Sequence, residues 1–274
     1  EKFVDGSVAK GHKDKWAREL FETIEFFAGY GFNKSHSAAY ALVTYQTAYL
    51  KAHFRPEFIA ANMTVESSNP HKPKAYVHEV RRNELELRKP SLNHSERRFT
   101  VEDGAIRFGL GAIKGVGERF ADGAVAECRE NGPYLSLENF CERQDVQLLN
   151  KGALEALNNA GAFDEIEPTR RGTFEGLEPA LTTAARTRAD RERGQGALFD
   201  LSAPAPQGGT AGTAVAVSEW PDAERLQREK VSLGFYLSGH PFEKRGRFLA
   251  TVAGHSSEQI RDFEHGTQVR IAGM

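Results

Sequence analysis

Apolar residues recur at three- and four-residue steps in several stretches of this chain, a period typical of amphipathic helices. Trp16, Leu20 and Ile24 lie on one face of the first such helix, which we predict over 13–27. Capping residues, glycines and prolines mark the ends of further helices, predicted from about 34 to before Arg55, from Pro56, and over 75–88, 118–130, 136–143, 150–160, 169–193 and 223–233. The chain is therefore expected to be mainly α.

Two short regions predict β structure instead. Residues 98–101 and 105–108 flank an acidic-glycine turn at 102–104, which predicts a β-hairpin. Residues 268–271 alternate between polar and apolar and predict one more strand. Because a lone strand is not a finished sheet, we expect the chain to be a fragment of a longer protein.

Composition and charge narrow the class of protein. The 274 residues are 39% hydrophobic and 27% charged, which is ordinary for a soluble globular protein. No apolar run approaches the roughly 20 residues that a membrane-spanning helix needs. With only Cys128 and Cys141 and no signal-like segment, we expect a cytoplasmic protein. The net charge of −2 means that any nucleic-acid site must be a local patch.

The glycine-rich stretch 105–121 carries the strongest local signal for binding. Its spacing fits neither the dinucleotide-binding turn nor the P-loop. A better fit is a hairpin that ends at a helix beginning at Glu118, where backbone N–H groups and the helix dipole favour an anion. The candidate phosphate-binding residues are Lys114, Gly115, Val116, Gly117 and Arg119. The pattern resembles the helix-hairpin-helix motif of DNA-repair and replication proteins; a glycine turn that only packs two helices is the alternative.

A second, degenerate hairpin is predicted over 154–164. Phe163 stands where a phosphate-approaching glycine is needed, and the turn contains no lysine. We therefore predict that this second hairpin packs rather than binds.

Basic residues and tyrosines are interleaved over 29–54, a combination that can bind phosphates and stack on bases. On spacing alone, the tyrosines favour a half-buried helix face and His36 favours a capping role. The segment GYGFNKSHSAAYALVTYQTAYLKAHF nevertheless closely resembles the end of the fingers in the C-family replicative DNA polymerases of bacteria, the DNA polymerase III alpha subunits. The likeness continues in the family's order through IRFGLGAIKGVGE, SLENFCER, NKGALEALNNAGAFD and LGFYLSGHPF.

The resemblance implies an order of domains. It assigns 1–65 to the C-terminal part of the fingers, 66–74 to a linker, 75–193 to a tandem helix-hairpin-helix domain that binds duplex DNA, 194–219 to a flexible linker, 220–254 to a helical connector and 255–274 to the start of a truncated oligonucleotide-binding barrel. The whole is expected to be a C-terminal-half fragment of such a subunit.

Two sets of residues take roles from this resemblance. Lys34, Ser35 and His36 match the motif that shapes the nucleotide and template pocket. Gln195, Leu198 and Phe199 match an internal peptide that binds the sliding clamp. Two large apolar side chains in a segment too polar to fold are suited to anchoring in a partner's pocket.

The resemblance also implies chemistry that this chain does not complete. The parent enzyme is a DNA-directed DNA polymerase that uses Mg²⁺ held by palm carboxylates, including an Asp-x-Asp pair. The chain contains no Asp-x-Asp and no recurring metal-ligand spacing, so we expect no bound metal and no activity from the fragment itself. The implied partners are double-stranded DNA, the beta sliding clamp, other subunits of the polymerase III holoenzyme and, in the parent enzyme, the incoming dNTP. No membrane partner is expected.

Two alternatives remain open at this point. The error-prone branch of the same polymerase family shares most of these motifs but generally lacks the clamp peptide. A stand-alone, non-catalytic helix-hairpin-helix module of DNA repair is the other.

Overall fold

The computed structural model describes residues 1–30, 34–67, 72–192, 217–241, 246, 251–255 and 259–271. The chain divides into two compact units, Glu1–Arg55 and Pro56–Met274. Both units are mainly helical, so the predicted mainly-α fold is confirmed. The sequence-based boundary at 65 lies one helix beyond the division between the units.

The first unit contains three helices, α1 (Lys2–Ala9), α2 (Asp14–Tyr30) and α3 (Lys34–His53). Helix α1 is too short for the apolar period to predict; it packs on α2 through the rings of Phe3 and Phe21, whose centroids are 5.7 Å apart. Helix α3 contains no buried residue, and Tyr45 is 67% exposed. The apolar face predicted for α3 therefore has no cover among the described residues.

The second unit contains seven helices and a small sheet within its described residues. The helices are α4 (Arg55–Val65), α5 (Lys72–Arg82), α6 (Glu118–Asn131), α7 (Leu137–Arg143), α8 (Lys151–Ala160), α9 (Arg170–Glu192) and α10 (Asp222–Leu233), with 3-10 turns at Leu110–Ala112 and Gln259–Asp262. Its core is centred on Phe140, which is fully buried and meets Tyr134 and Phe163 edge to face. Such aromatic pairs stabilise beyond the area that they bury.

The sheet has the order β1 (Leu87–Arg88), β3 (Ala105–Arg107), β2 (Thr100–Glu102). Strands β2 and β3 form the predicted hairpin. Its turn residues Asp103 and Gly104 have φ of 52° and 79°, values typical of a type I′ turn. The prediction of an acidic-glycine hairpin is confirmed.

Strand β1 corrects the predicted helix over 75–88. Helix α5 ends at Arg82, and Glu84 has a φ of 55°, which a continuing helix does not allow. Leu87 and Arg88 instead run parallel to β3, and the Glu86 and Arg88 carbonyls accept hydrogen bonds from Ile106 and Phe108. This pairing partner lies about twenty residues away, beyond the reach of a local helical pattern.

Other boundaries agree with the sequence. Ser136 and Asn150 cap α7 and α8 through their side chains, and Gly161 ends α8 with a φ of 86°. The lone strand expected at 268–271 has no pairing partner among the described residues and stays a prediction. A strand needs a neighbour to take up its backbone hydrogen bonds, and alternation alone does not supply one.

Candidate nucleic-acid interface

The first hairpin joins the 3-10 turn Leu110–Ala112 to helix α6. Ile113 and Val116 are buried in the core, whereas Lys114, Gly115 and Gly117 are exposed. Gly115 has a φ of 91°, a conformation that favours glycine. The two buried side chains attach the hairpin to the core, and its two glycines and its lysine face solvent.

The backbone amides of this hairpin are divided between internal bonds and solvent. The Lys114 amide donates to the Ser232 carbonyl (2.9 Å) and the Val116 amide to the Ile113 carbonyl (3.0 Å). Within the described residues, the amides of Gly115 and Gly117 make no hydrogen bond. Gly117 is the N-cap of α6, whose first-turn amides have no intrahelical partner. An anion at this corner would meet several unused donors.

Two ion pairs govern the charge at the start of α6. Arg97 contacts Glu118 (2.9 Å) and Asp122 (3.0 Å), so the nearest carboxylates are already neutralised. Lys114 and Arg119 make no ion pair with any residue that the structure describes. Their charges therefore remain available to an anion, and the helix dipole adds to them. All five predicted phosphate-binding residues lie together at this corner.

The second hairpin, between α8 and α9, is organised around a buried arginine. Arg170 is 4% exposed and contacts both oxygens of Asp164, at 2.8 Å and 2.9 Å. It also donates to the Asn159 carbonyl (3.0 Å) and lies 3.3 Å from the fully buried Glu229. No cation of this turn points outward as Lys114 does.

Electrostatics support this structural role. Burial by itself raises the pKa of Asp164, but the hydrogen bonds and charges of Arg170 and Lys89 outweigh it and hold that pKa below its usual value. Phe163, which stands where a glycine would approach a phosphate, is 1% exposed. The second hairpin packs, as its sequence indicates.

Lys34, Ser35 and His36 lie in the first turn of α3, in the first unit, and all three are exposed. The His36 ring lies 4.3 Å from the Tyr40 ring one turn later. The three side chains are thus on a separate compact unit from the first hairpin. Their proposed role in a nucleotide pocket stays a prediction.

The clamp-peptide residues Gln195, Leu198 and Phe199 lie outside the described residues. The chain on either side is described: α9 ends at Glu192, and Glu219 accepts hydrogen bonds from the amides of Arg170 (2.8 Å) and Arg171 (3.2 Å). Glu219 therefore caps the beginning of α9. This cap escaped sequence reasoning because its partners lie nearly fifty residues earlier in the chain.

Among the described residues, no three His, Cys, Asp or Glu side chains come close enough to share a metal ion. These residues therefore offer no ligand set that fits the Mg²⁺ of the implied polymerase chemistry. No helix in the described part of the chain is long and apolar enough to cross a membrane.

One part of the chain is similar to a known structural motif. Residues 84–173, which include both hairpins, match the family model described as the helix-hairpin-helix motif. The chain therefore contains a helix-hairpin-helix region, as its glycine pattern predicted.

The particular relatives are DNA polymerase III alpha subunits. The chain is 39% identical to that of Neisseria meningitidis over 100% of its length, 42% identical to that of Xylella fastidiosa over 93%, and 38% identical to that of Escherichia coli over 99%. It spans 23%, 21% and 24% of these relatives, about a quarter of their length. The resemblance to this family is confirmed over the whole chain.

Proposed function

We propose that this chain provides the duplex-DNA grip of a bacterial replicative polymerase alpha subunit. The observation that carries the proposal is the first hairpin. There the start of α6 converges with backbone amides that make no hydrogen bond, and with Lys114 and Arg119 that make no ion pair, among the described residues. Similarity to DNA polymerase III alpha subunits supports a role for this grip in DNA synthesis. Similarity along the whole chain favours this over a stand-alone repair module.

The proposed grip does not read sequence. Backbone amides and lysine ammonium groups recognise phosphates, which are the same at every step of DNA, whereas base edges need side chains placed in a groove. A replicative enzyme must hold every duplex that it makes. A phosphate-directed contact meets that need.

The proposal has parts that rest on resemblance. In the parent enzyme, Lys34, Ser35 and His36 would help to shape the pocket for dNTP and template, Gln195, Leu198 and Phe199 would bind the beta sliding clamp, and other holoenzyme subunits would complete the assembly. Mg²⁺ would be held by carboxylates of the palm, and the isolated chain would be inactive.

The grip is tested by titrating random-sequence duplexes with the chain between about 50 and 200 mM salt. We expect binding that weakens steeply with salt. Lys114→Ala should weaken it roughly three- to tenfold and lower the salt slope by about one, because one phosphate contact is lost. The matched control is Lys151→Ala in α8, whose lysine is exposed but paired with Glu178 at 3.1 Å. Flat or undetectable binding by the unmodified chain would contradict the proposal.

The tether is tested with the purified beta sliding clamp. Leu198→Ala combined with Phe199→Ala should abolish clamp binding, since it removes both apolar anchors. Gln207→Ala, in the same polar segment but outside the peptide, should leave binding unchanged. If the unmodified chain does not bind the clamp, the error-prone branch becomes the better explanation.

A further inference from the structure

A basic pocket of about 290 Å³ opens between α5, α10 and the loop that follows α10. We define the basic pocket by six of its lining residues: His78, Arg81, Lys230, Gly234, Tyr236 and His240. Among the residues that the structure describes, no carboxylate lines it.

The pocket's cations are arranged around Tyr236. Arg81 donates from Nη2 to the Tyr236 carbonyl (3.0 Å), and Lys230 Nζ lies 4.9 Å from the centre of the tyrosine ring. Neither cation forms an ion pair with any described residue, although both belong to helices that carry glutamates. Their positions are set by a carbonyl and an aromatic face, and no carboxylate in the described part of the chain compensates their charges.

A neighbouring pocket of about 460 Å³ in the same unit is also lined by cations, and their ion pairing can be compared with that of the basic pocket. Its four cations are all paired: Lys89 with Asp164 at 2.7 Å, Arg107 with Glu102 at 3.0 Å, Arg88 with Glu102 at 3.4 Å and Arg225 with Asp222 at 3.4 Å. Each of these four cations is matched by a carboxylate, whereas Arg81 and Lys230 of the basic pocket form no ion pair within the described part of the chain.

The basic pocket adjoins the first hairpin through Gly234. A Cβ built on Gly234 would lie 3.5 Å from Lys114 Nζ, so the lysine side chain lies directly over this glycine. The Lys114 amide is bonded to the Ser232 carbonyl at the end of α10. Lys114 therefore lies next to both the hairpin corner and Gly234, which lines the pocket.

We propose that the basic pocket binds a phosphate group of the same duplex that the first hairpin holds, as a second phosphate subsite. This inference rests on the proposed DNA grip and names a further part of it. Uncompensated cations in a concave site favour a phosphate oxygen, and Arg81 and Lys230 supply donors from two sides.

The test measures duplex affinity and its salt dependence for Lys230→Gln and Arg81→Gln in the 274-residue chain. Each should weaken binding severalfold and lower the salt slope by about one, and the double variant should lower it by about two. The matched control is Arg225→Gln on the same helix, which removes a cation already paired with Asp222. Lys230→Arg should retain most of the affinity, and thermal unfolding should be unchanged in Lys230→Gln.

The outcomes separate this inference from the proposed function. If Lys114→Ala weakens duplex binding while both pocket variants bind normally, the grip stands and the second subsite is overturned. If inorganic phosphate shifts the NMR signals of His78 and Tyr236 but the variants leave duplex binding intact, the pocket takes free phosphate only, and the duplex assignment is overturned. If the unmodified chain binds no duplex, the proposed function fails and the subsite with it.

Discussion

The two hairpins of the second unit each lead into a helix, α6 or α9, but their cations have opposite environments. The first hairpin buries Ile113 and Val116 and exposes Lys114 with unused amides; the second encloses Arg170 between Asp164 and Glu229. Arg170 is paired with carboxylates of its own chain, whereas Lys114 forms no ion pair with a described residue. In the proposed DNA grip, this difference leaves only the first hairpin's cation available to a phosphate.

The largest effect should come from removing the buried arginine. Arg170→Ala would leave the fully buried Glu229 without its cation and Asp164 with only Lys89. Breaking a buried ion pair from one side costs about 3 to 5 kcal/mol, and we expect a loss of that size in the free energy of unfolding measured by urea titration. Lys114→Ala is the control and should change stability by less than about 0.5 kcal/mol. If Arg170→Ala lowers the free energy of unfolding by less than about 1 kcal/mol, Arg170 does not have the structural role that distinguishes the second hairpin from the first.

A matched pair of glycine substitutions should give the next largest effect. Gly115 and Gly161 both have positive φ, 91° and 86°, so alanine is strained at either position by about 1 kcal/mol. A Cβ on Gly115 would make an ordinary 3.5 Å contact with Ala156, whereas one on Gly161 would lie 2.8 Å from Arg170 Cζ. Gly161→Ala should therefore destabilise more than Gly115→Ala, by roughly another 1 to 2 kcal/mol in urea unfolding. Equal losses in the free energy of unfolding would show that the Arg170 side chain moves away from the added Cβ at little cost.

The smallest expected effect is a change in how the free energy of unfolding depends on pH in acid. The folded pKa of Asp164 is held below its unfolded value, so its contribution to stability is present above about pH 4 and is lost as the pH falls through the folded pKa. The free energy of unfolding, measured at several pH values, should decrease less steeply with falling pH in Asp164→Asn than in the unmodified chain.

Part of that acid dependence must survive in the variant. Burial raises the pKa of Glu102, but Arg107 and Arg88 outweigh it and lower that pKa, so this carboxyl also loses stability in acid. An Asp164→Asn variant with an unchanged pH profile would show that the second hairpin's carboxylate is not the one that titrates.

Local rules predicted much of the fold and the first site. The type I′ turn at Asp103 and Gly104, the caps at Ser136 and Asn150 and the glycine hairpin at Gly115 each depend on residues within four positions of one another. Strand β1 and the Glu219 cap did not follow from the sequence, since their partners lie about twenty and nearly fifty residues away.

The sequence by itself determined which residues form the first hairpin, that Phe163 takes the place of a glycine in the second, and which family the chain resembles. Only the tertiary structure decided which charged side chains form ion pairs within the chain. Arg170, Lys89 and Arg97 are paired with carboxylates that folding brings to them, while Lys114, Arg81 and Lys230 have no such partner among the described residues. The reason is physical: electrostatic energy depends on the distance between charges in space, and spacing along the chain does not fix that distance.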